Sequence, residues 1–554
     1  MSSDLPPPPP SPPPRGAPVL DRLHDEVGRR NFLRLVGAVS AAAAIAGTVS
    51  ACGGPSSTTG TDGAAGTPGT VGADGTIEAG ISYSLSSGFD PMTASGATPV
   101  AANLHVFESL VDLDPVTRAA YPALATALPE KIDDTTYRAT LRQGATFHDN
   151  SPVTAEDVVF SFTRILDPAN SSLMVQFLPF LAGVTAVDAS TVEFRLKYAF
   201  PLFPTRISVA RIVPKKIVEA DPKGFDAKPV GSGPYRLIEA TRQDKIVFKR
   251  WDAYNGPRPA KAAAMNWRLT SDSTARVSAL VSGRVAAIED VPYVDVSGVK
   301  GKATVDSVQS FGNLFLMFNC SAKPFDDKRV RQALHYALDT DKIIATAMFG
   351  NGTAASGYLQ PTHPDHHKAS TVYSHDPEKA KALLAAAGVS GLSVTLTTTN
   401  TGWVTDIAPL IKESWDAVGV RTTLDVGDSS GQYKKVDAGE FQVMAAPGDP
   451  SVFGNDVDLL MRWFYVGTWP TKRFRWAGSA QDTQLNGLLD QASRSSDKDT
   501  QSKLWQQAMD LVADEVPLYP VLHRKLPTAW NPKTLAGFKP LPTTGLSFLD
   551  VSAV

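Results

Sequence analysis

Residues 141–161 read Leu141-Arg142-Gln143-Gly144-Ala145-Thr146-Phe147-His148-Asp149-Asn150-Ser151-Pro152-Val153-Thr154-Ala155-Glu156-Asp157-Val158-Val159-Phe160-Ser161. The run leaves a strand, turns and enters a helix. Upstream, residues 136–142 alternate apolar and polar side chains, the period of a half-buried strand. Phe147-His148-Asp149, followed by Pro152, makes the turn. Thr154 is placed to cap a helix, and Asp157, three residues on, sits near the positive end of its dipole. The helix runs on through Val158 to Arg164. His148 is chemically able to ligate or catalyse, but in such a turn it is expected to close a local hydrogen-bond network.

The same alternation of elements continues outward. Residues 191–196 read as another half-buried strand. Asp376-Pro377-Glu378 opens a helix with an Asp cap, Pro in the first position and acid in the first turn, and Gly388 is its stop. A further helix is expected over residues 410–419, followed by a strand over 420–426. Gly231-Ser232-Gly233 lacks the third glycine of a dinucleotide loop and reads as a turn before the strand Tyr235-Arg236-Leu237. Helices alternating with strands over this length predict an α/β architecture.

Near the start, Gly28-Arg29-Arg30-Asn31-Phe32-Leu33-Arg34 precedes a soft apolar stretch, residues 36–50, and then Ala51-Cys52. This order matches a twin-arginine export signal ending in a lipoprotein cleavage box. The apolar stretch is shorter than the ~20 residues a spanning helix needs. Residues 1–52 are therefore expected to form a signal peptide with a proline-rich leader. Cys52 becomes the lipid-bearing N-terminus, held on a membrane by two or more acyl chains. Residues 53–75, rich in Gly, Thr, Ser and Ala, form a flexible tether.

About 480 residues remain, too many for one ordinary core, so two or three lobes are expected. The formal net charge of −3 gives no basic footprint for nucleic acid. Of the two cysteines, Cys320 is left without a partner once Cys52 is lipidated; it reads as a small buried hydrophobe. H-E-x-x-H, C-x-x-C, G-x-S-x-G and phosphate-loop patterns are all absent. Asp133-Asp134 reads as a hairpin turn. His363, His366, His367 and His375 gather in a loop with Asp365. They could hold a transition metal, but their spacing matches no closed site and solvated histidines are expected. Arg329 and Arg331 beside Asp326 and Asp327 read as ion pairs at a helix start.

Further segments carry a resemblance: Asp90-Pro91; Phe107-Glu108-Ser109-Leu110-Val111; Tyr121-Pro122-Ala123-Leu124-Ala125; the opening run 141–161; Pro229-Val230-Gly231-Ser232-Gly233-Pro234-Tyr235; Ala275-Arg276; Pro324-Phe325-Asp326-Asp327 with Arg329-Val330-Arg331; Asp376 to Ala380; and Gly537-Phe538. In this order they resemble the solute-binding proteins of ABC importers that carry peptides and nickel, solute-binding family 5. The resemblance implies a periplasmic-binding-protein-like, type II Venus flytrap of two α/β lobes joined by crossing strands. An additional domain sits on the first lobe. Lobe I takes residues 76–115, 228–310 and 520–554, the extra domain 116–227, and lobe II 311–519. Ligand is held in the interlobe cleft by hinge closure and delivered to a membrane permease with its ATPase. A monomer without cofactor, on the outer face of the cytoplasmic membrane, is expected.

By the same resemblance, the early loop with Ser95, Gly96 and Thr98 and the strand-end loop with Asn400 and Trp403 face ligand. Peptide binders of the family carry a Gly-Trp-x-x-Asp element whose Asp holds the peptide ammonium. Here Met444-Ala445-Ala446-Pro447-Gly448-Asp449-Pro450 lacks it, and Asp449 matches a later aspartate. Aromatic residues beyond it, with Phe453, Trp463 and Tyr465 foremost, suit adaptable walls, although core packing claims about half of such a cluster. The leading expectation is non-catalytic capture of an oligopeptide or peptide-like solute. Alternatives are a nickel or metal-chelate binder, a secreted hydrolase, and a sensor on the same fold.

Overall fold

The computed structural model describes residues 75–554; the export segment, Cys52 and residues 53–74 of the tether lie outside the described residues. An eleven-stranded sheet runs through the molecule. From one edge its order is Arg421–Gly427, Ser393–Thr399, Val443–Gly448, Thr304–Phe318, Leu518–Trp530, Ala287–Ile288, Thr76–Ile81, Ala264–Leu269, Lys245–Arg250 and Tyr235–Thr241, with Gly352–Ala354 added on Leu518–Trp530. Each end is an α/β lobe with parallel pairs. Thr76–Ile81 lies parallel to Ala264–Leu269 and Ala287–Ile288, and Ser393–Thr399 lies parallel to Arg421–Gly427 and Val443–Gly448. Parallel neighbours need a crossover. The helices Ser273–Val281, Gly402–Ala417 and Ser429–Ala438 supply them.

Two long antiparallel strands, Thr304–Phe318 and Leu518–Trp530, carry the sheet from one lobe to the other. Their register breaks where they cross. Gln309 faces Lys525 and Asn313 faces His523, so Ser310, Phe311 and Gly312 stand opposite Arg524 alone. Such a bulge bends a strand and increases its twist. Ser310 Oγ donates to the Arg524 carbonyl at 3.0 Å and His523 Nδ1 lies 3.0 Å from Phe311 O, which pins the extra residues. Beyond the bulge the strand is buried on both faces: Phe315 and Met317 enter one core, Leu314, Leu316 and Phe318 another. Each large side chain so buried contributes about 1.5–3 kcal/mol.

A second, antiparallel sheet pairs Glu130–Asp133, Thr136–Thr140, Thr191–Leu196 and Leu181–Ala186, with Asp134 in the first hairpin turn. The helix Ala155–Leu166 packs on it. Its start is a full capping box: the Asp157 amide donates to the Thr154 hydroxyl, and Asp157 Oδ2 accepts from Thr154 N at 3.0 Å. His148 joins this unit to the first lobe. The Gly231 amide donates to Nδ1 (3.2 Å), so Nε2 carries the proton and donates to Gly233 O (2.9 Å). The two motifs that bracket this bond, 147–149 and 229–235, are thus halves of one joint. Gly231 lies so close to the helix Ala97–Val106 that a Cβ there would stand 2.0 Å from Val106 O. The core of the second sheet is continuous with Tyr358, Phe464 and Trp469 of the second lobe, so this unit touches both lobes.

Three expectations change. The helix expected over 410–419 begins at Gly402 and runs to Ala417, with Pro409 inside it. Proline lacks an N–H and reads as a boundary, but here the helix carries it on an exposed face. Arg331 is not paired with Asp326. It is buried, donating through Nε (3.0 Å) and Nη2 (2.6 Å) to the carbonyl of Glu515 at the end of the helix Lys498–Glu515. A cation there answers the negative end of the helix dipole. Arg329 does pair with Asp327, at 2.6 Å. Cys320 is only half-buried, between the two cores of the second lobe, and burial pushes its thiol up to about 11.

Candidate functional site

The lobes meet along a seam, and its chemistry centres on Arg524. This residue sits on the crossing strand opposite the bulge, with its side chain 4% exposed. From the first lobe, Nε donates to Tyr293 Oη at 3.0 Å, Nη1 donates to Tyr83 Oη at 3.5 Å, and Nη2 pairs with Asp290. From the second lobe, the Trp403 ring lies under the guanidinium, 4.4 Å from carbon to centroid. A desolvated cation over indole is worth about 2 kcal/mol. Burial works against the charge of Arg524, but Tyr293, Asp290 and Tyr83 outweigh it and hold the group charged. Beside them, burial and then Asp290 push the Glu289 carboxyl up to about 7 while Ser82 donates to it. Arg524 was not legible as a site residue, although a charge inside the run Val521-Leu522-His523-Arg524 was its signal.

The early loop reaches the same cluster. Thr98 is buried and its hydroxyl donates to the Tyr83 carbonyl at 2.7 Å. Gly96 caps the helix Ala97–Val106 close against Ser86, and Ser95 stands exposed beside it. Trp403 occupies the first turn of its helix, 6% exposed, with Nε1 unpartnered. Asn400 is exposed at the end of its strand, its amide donating to Gly427 O at 2.8 Å. Thr98 and Trp403 are therefore linked through Tyr83 and Arg524, whereas Ser95 and Gly96 neighbour Thr98 in the chain without touching that cluster.

The segment after Val443–Gly448 forms the rest of the seam. Asp449 accepts from Thr544 through N (2.7 Å) and Oγ1 (2.8 Å), and from Ser451 Oγ. These bonds occupy both carboxylate oxygens with groups of the chain itself. Phe453 and Trp463 are half-buried and stand together, 4.9 Å between centroids, against Phe177. Tyr465 is placed apart from them: it is fully buried and its hydroxyl donates to Leu518 O at 2.6 Å. A cavity of about 40 Å³ opens where three bodies meet, lined among others by Ala94, Asn103, Met174, Val209, Val452 and Phe453.

The loop histidines are spent separately. His363 Nε2 lies 2.8 Å from Asn455 O, His366 Nδ1 3.0 Å from Leu359 O, His367 Nε2 3.0 Å from Asp510, and His375 3.7 Å from Asp339. Among the described residues no group of three or more His, Cys, Asp or Glu side chains is set to hold a metal ion.

Two α/β lobes, crossing strands between them and a seam furnished from both sides define a type II periplasmic binding fold. The family model of bacterial extracellular solute-binding proteins, family 5 (middle), matches residues 119–470, and the chain belongs to this family. It is 27% identical over 471 residues to the glutathione-binding protein GsiB of Escherichia coli (strain K12), covering 83% of this chain and 91% of the relative. A solved structure of the periplasmic binding protein AgaA with agropinic acid, from A. tumefaciens R10, superimposes with a TM-score of 0.76 at 28% identity, covering 85% and 96% of the two chains. The dipeptide-binding protein of Pseudoalteromonas sp. SM9913 with Met-Leu gives a TM-score of 0.78 at 20% identity, covering 86% and 100%, a likeness of fold.

Proposed function

We propose that this chain captures oligopeptides or peptide-like solutes between its lobes and hands them to an ABC permease driven by its ATPase. The observation that carries the reading is the Arg524 cluster, in which Tyr83, Asp290 and Tyr293 of one lobe and Trp403 of the other close on a single cation beside the strand bulge. A flat aromatic face and a desolvated guanidinium suit a ligand with a peptide plane and a carboxylate. Relatives named for glutathione, for a dipeptide and for agropinic acid support a small ligand of peptide or acid character. In this reading lobe I takes residues 76–115, 228–310 and 520–554, lobe II takes 311–519, and 116–227 is the added domain. Ser95, Gly96, Thr98, Asn400, Trp403, Phe453 and Trp463 face ligand when the lobes part. Asp449 serves the closed seam through Thr544, and Tyr465 supports the floor. The protein is a monomeric binder without catalysis, tethered outside the cytoplasmic membrane through lipidated Cys52.

The test is native mass spectrometry of protein purified without denaturation and then offered a mixed peptide digest. A ladder of retained peptide masses is the expected result. A single non-peptide mass or a metal adduct sinks the peptide assignment. Consumption of the bound peptides during incubation contradicts the non-catalytic role.

A further inference from the structure

The end of the chain forms a closed loop. The short strands Leu535–Ala536 and Ser552–Ala553 pair with each other, so residues 537–551 leave and return at one point. Compact loops tied at the base in this way often carry function. Both flanks are rooted in the first lobe: Phe538, Leu546 and Phe548 share a core with Ile77, Met265 and Trp267. His105 fixes the returning flank. Its Nδ1 donates to Ala101 O (2.9 Å), and its Nε2 accepts from the Phe548 amide (2.9 Å). The tip crosses the seam. Thr544 donates through N (2.7 Å) and Oγ1 (2.8 Å) to Oδ2 of Asp449, which follows the second-lobe strand Val443–Gly448. Gly545 turns the tip at φ +109°, and a Cβ there would stand 2.9 Å from that of Ala101. A side chain at this position would therefore lift the tip away from its helix.

A second prong reaches the same place. In the hairpin of Val111–Leu113 and Ala120–Pro122, Asp114 Oδ1 accepts from the amides of Val116 (3.0 Å) and Thr117 (2.6 Å) and shapes the turn. From that turn Arg118 donates through Nη2 to Ser451 O at 2.6 Å. Burial pulls the Arg118 guanidinium down to about 10, and Asp449 is the group that most opposes this. Arg258 fastens the prongs together: it pairs with Asp114 of the hairpin and, at 3.1 Å, with Asp550 at the base of the loop. We infer that the loop 537–551 and the hairpin 111–122 form a two-pronged catch on residues 449–451, which holds the ligand-free protein shut. The inference rests on the reading above in one respect, that the lobes part to admit ligand. The catch needs no ligand atom to complete it, since Thr544 takes one oxygen of Asp449 and Ser451 Oγ the other. Hydrogen bonds to a carboxylate are stronger than neutral ones, so closure is favoured before ligand arrives, and only the fraction that opens can load.

Small-angle scattering on the whole chain, stripped of bound solute by unfolding in guanidinium and refolding, tests this. Thr544→Val removes the hydroxyl donor, and Gly545→Ala lifts the tip. Both are expected to show a larger radius of gyration than stripped wild type, and Thr544→Val carries the test if Gly545→Ala does not fold. Arg258→Gln leaves Thr544 and Asp449 in place, yet is expected to speed hydrogen exchange at the Thr544 amide at least tenfold. Variants that melt earlier but stay as compact as wild type make the loop a static brace and overturn the inference. Stripped wild type as expanded as the variants overturns it too, and exchange in Arg258→Gln as slow as in wild type overturns the joined prongs. A mixed peptide digest separates this from the binding reading. If the variants open but neither they nor wild type retain any peptide, the catch stands and the peptide reading falls; if peptides are retained and the variants stay compact, the catch falls alone.

Discussion

His148 shows how single residues in this chain serve assembly where their chemistry could have served catalysis. Its two ring nitrogens are used on Gly231 and Gly233, and burial lowers its pKa to about 4. Burial lowers His105 and His523 to about 4 and His335 to about 3 as well. Each is neutral when folded and gains a proton near 6.5 when unfolded. Their contribution is therefore complete above pH 6.5 and is lost as pH falls from there towards 4. Urea denaturation at a series of pH values should show stability dropping across that window. His148→Ala should cost about 1–3 kcal/mol at neutral pH and make the acid slope shallower; an unchanged slope would remove His148 from the account. That this histidine closes hydrogen bonds was legible from its turn, where Phe147, Pro152 and Thr154 announce strand, break and cap; that its partners, the Gly231 amide and the Gly233 carbonyl, lie 83 and 85 residues on, so that the network is a joint between two units and not local, was not. Nor was the role of Tyr465. Its spacing is that of any aromatic on a helix, and only the fold shows its hydroxyl bound to Leu518 O in the core.

At the scale of elements, legibility followed the locality of the forces. The strand Thr191–Leu196, the capping box at Thr154 and the Asp376-Pro377 helix start all appear as expected, since each is dictated by residues within one or two turns. Crossing strands were expected from the family resemblance, but their residues and the bulge were hidden because Gln309 and Lys525 pair across more than two hundred residues and no local period marks the register shift. The helix Gly402–Ala417 was cut short by its own proline, and with it the fact that Trp403 rides on a helix and not on a free loop. Pro409 is exposed and forfeits a backbone hydrogen bond in the helix interior. Pro409→Ala should therefore stabilise the protein by about 1–2 kcal/mol, since proline costs about 3 kcal/mol relative to alanine there and the more flexible unfolded chain returns part of the gain. Thermal unfolding by circular dichroism reads the effect. A lower melting temperature would mean that the proline is accommodated by a bend on which the Trp403 turn depends.

For the whole molecule, the question is what holds the seam shut. Arg206, from the short helix Phe203–Arg206, is completely buried and reaches across to the second lobe, where it pairs with Asp456 and, at 2.9 Å, with Asp458. Asp458 passes the charge to Arg462 at 2.8 Å, and Arg462 to Asp490 at 2.7 Å. Nearby, Arg118 donates to Ser451 O at 2.6 Å, and Asp449 takes Thr544. Burying such charges is costly unless every partner is present. Burial opposes the charge of Arg206, and the two aspartates more than restore it. When the lobes part, water solvates the same groups at little expense, so the network is favourable only in the fully docked state and adds a threshold to closure. Arg206→Gln removes the cation but leaves Asp456 and Asp458 facing the seam. The closed form then holds Asp458 by Arg462 alone and Asp456 by its helix-cap amide alone, a penalty of up to about 3–5 kcal/mol, while the open form is nearly untouched. Small-angle scattering should show a larger radius of gyration for the ligand-free variant, and ligand affinity should fall at least tenfold. If Arg206 were a static brace instead, the variant would melt earlier with its radius of gyration unchanged, and the closure argument would fail on that result.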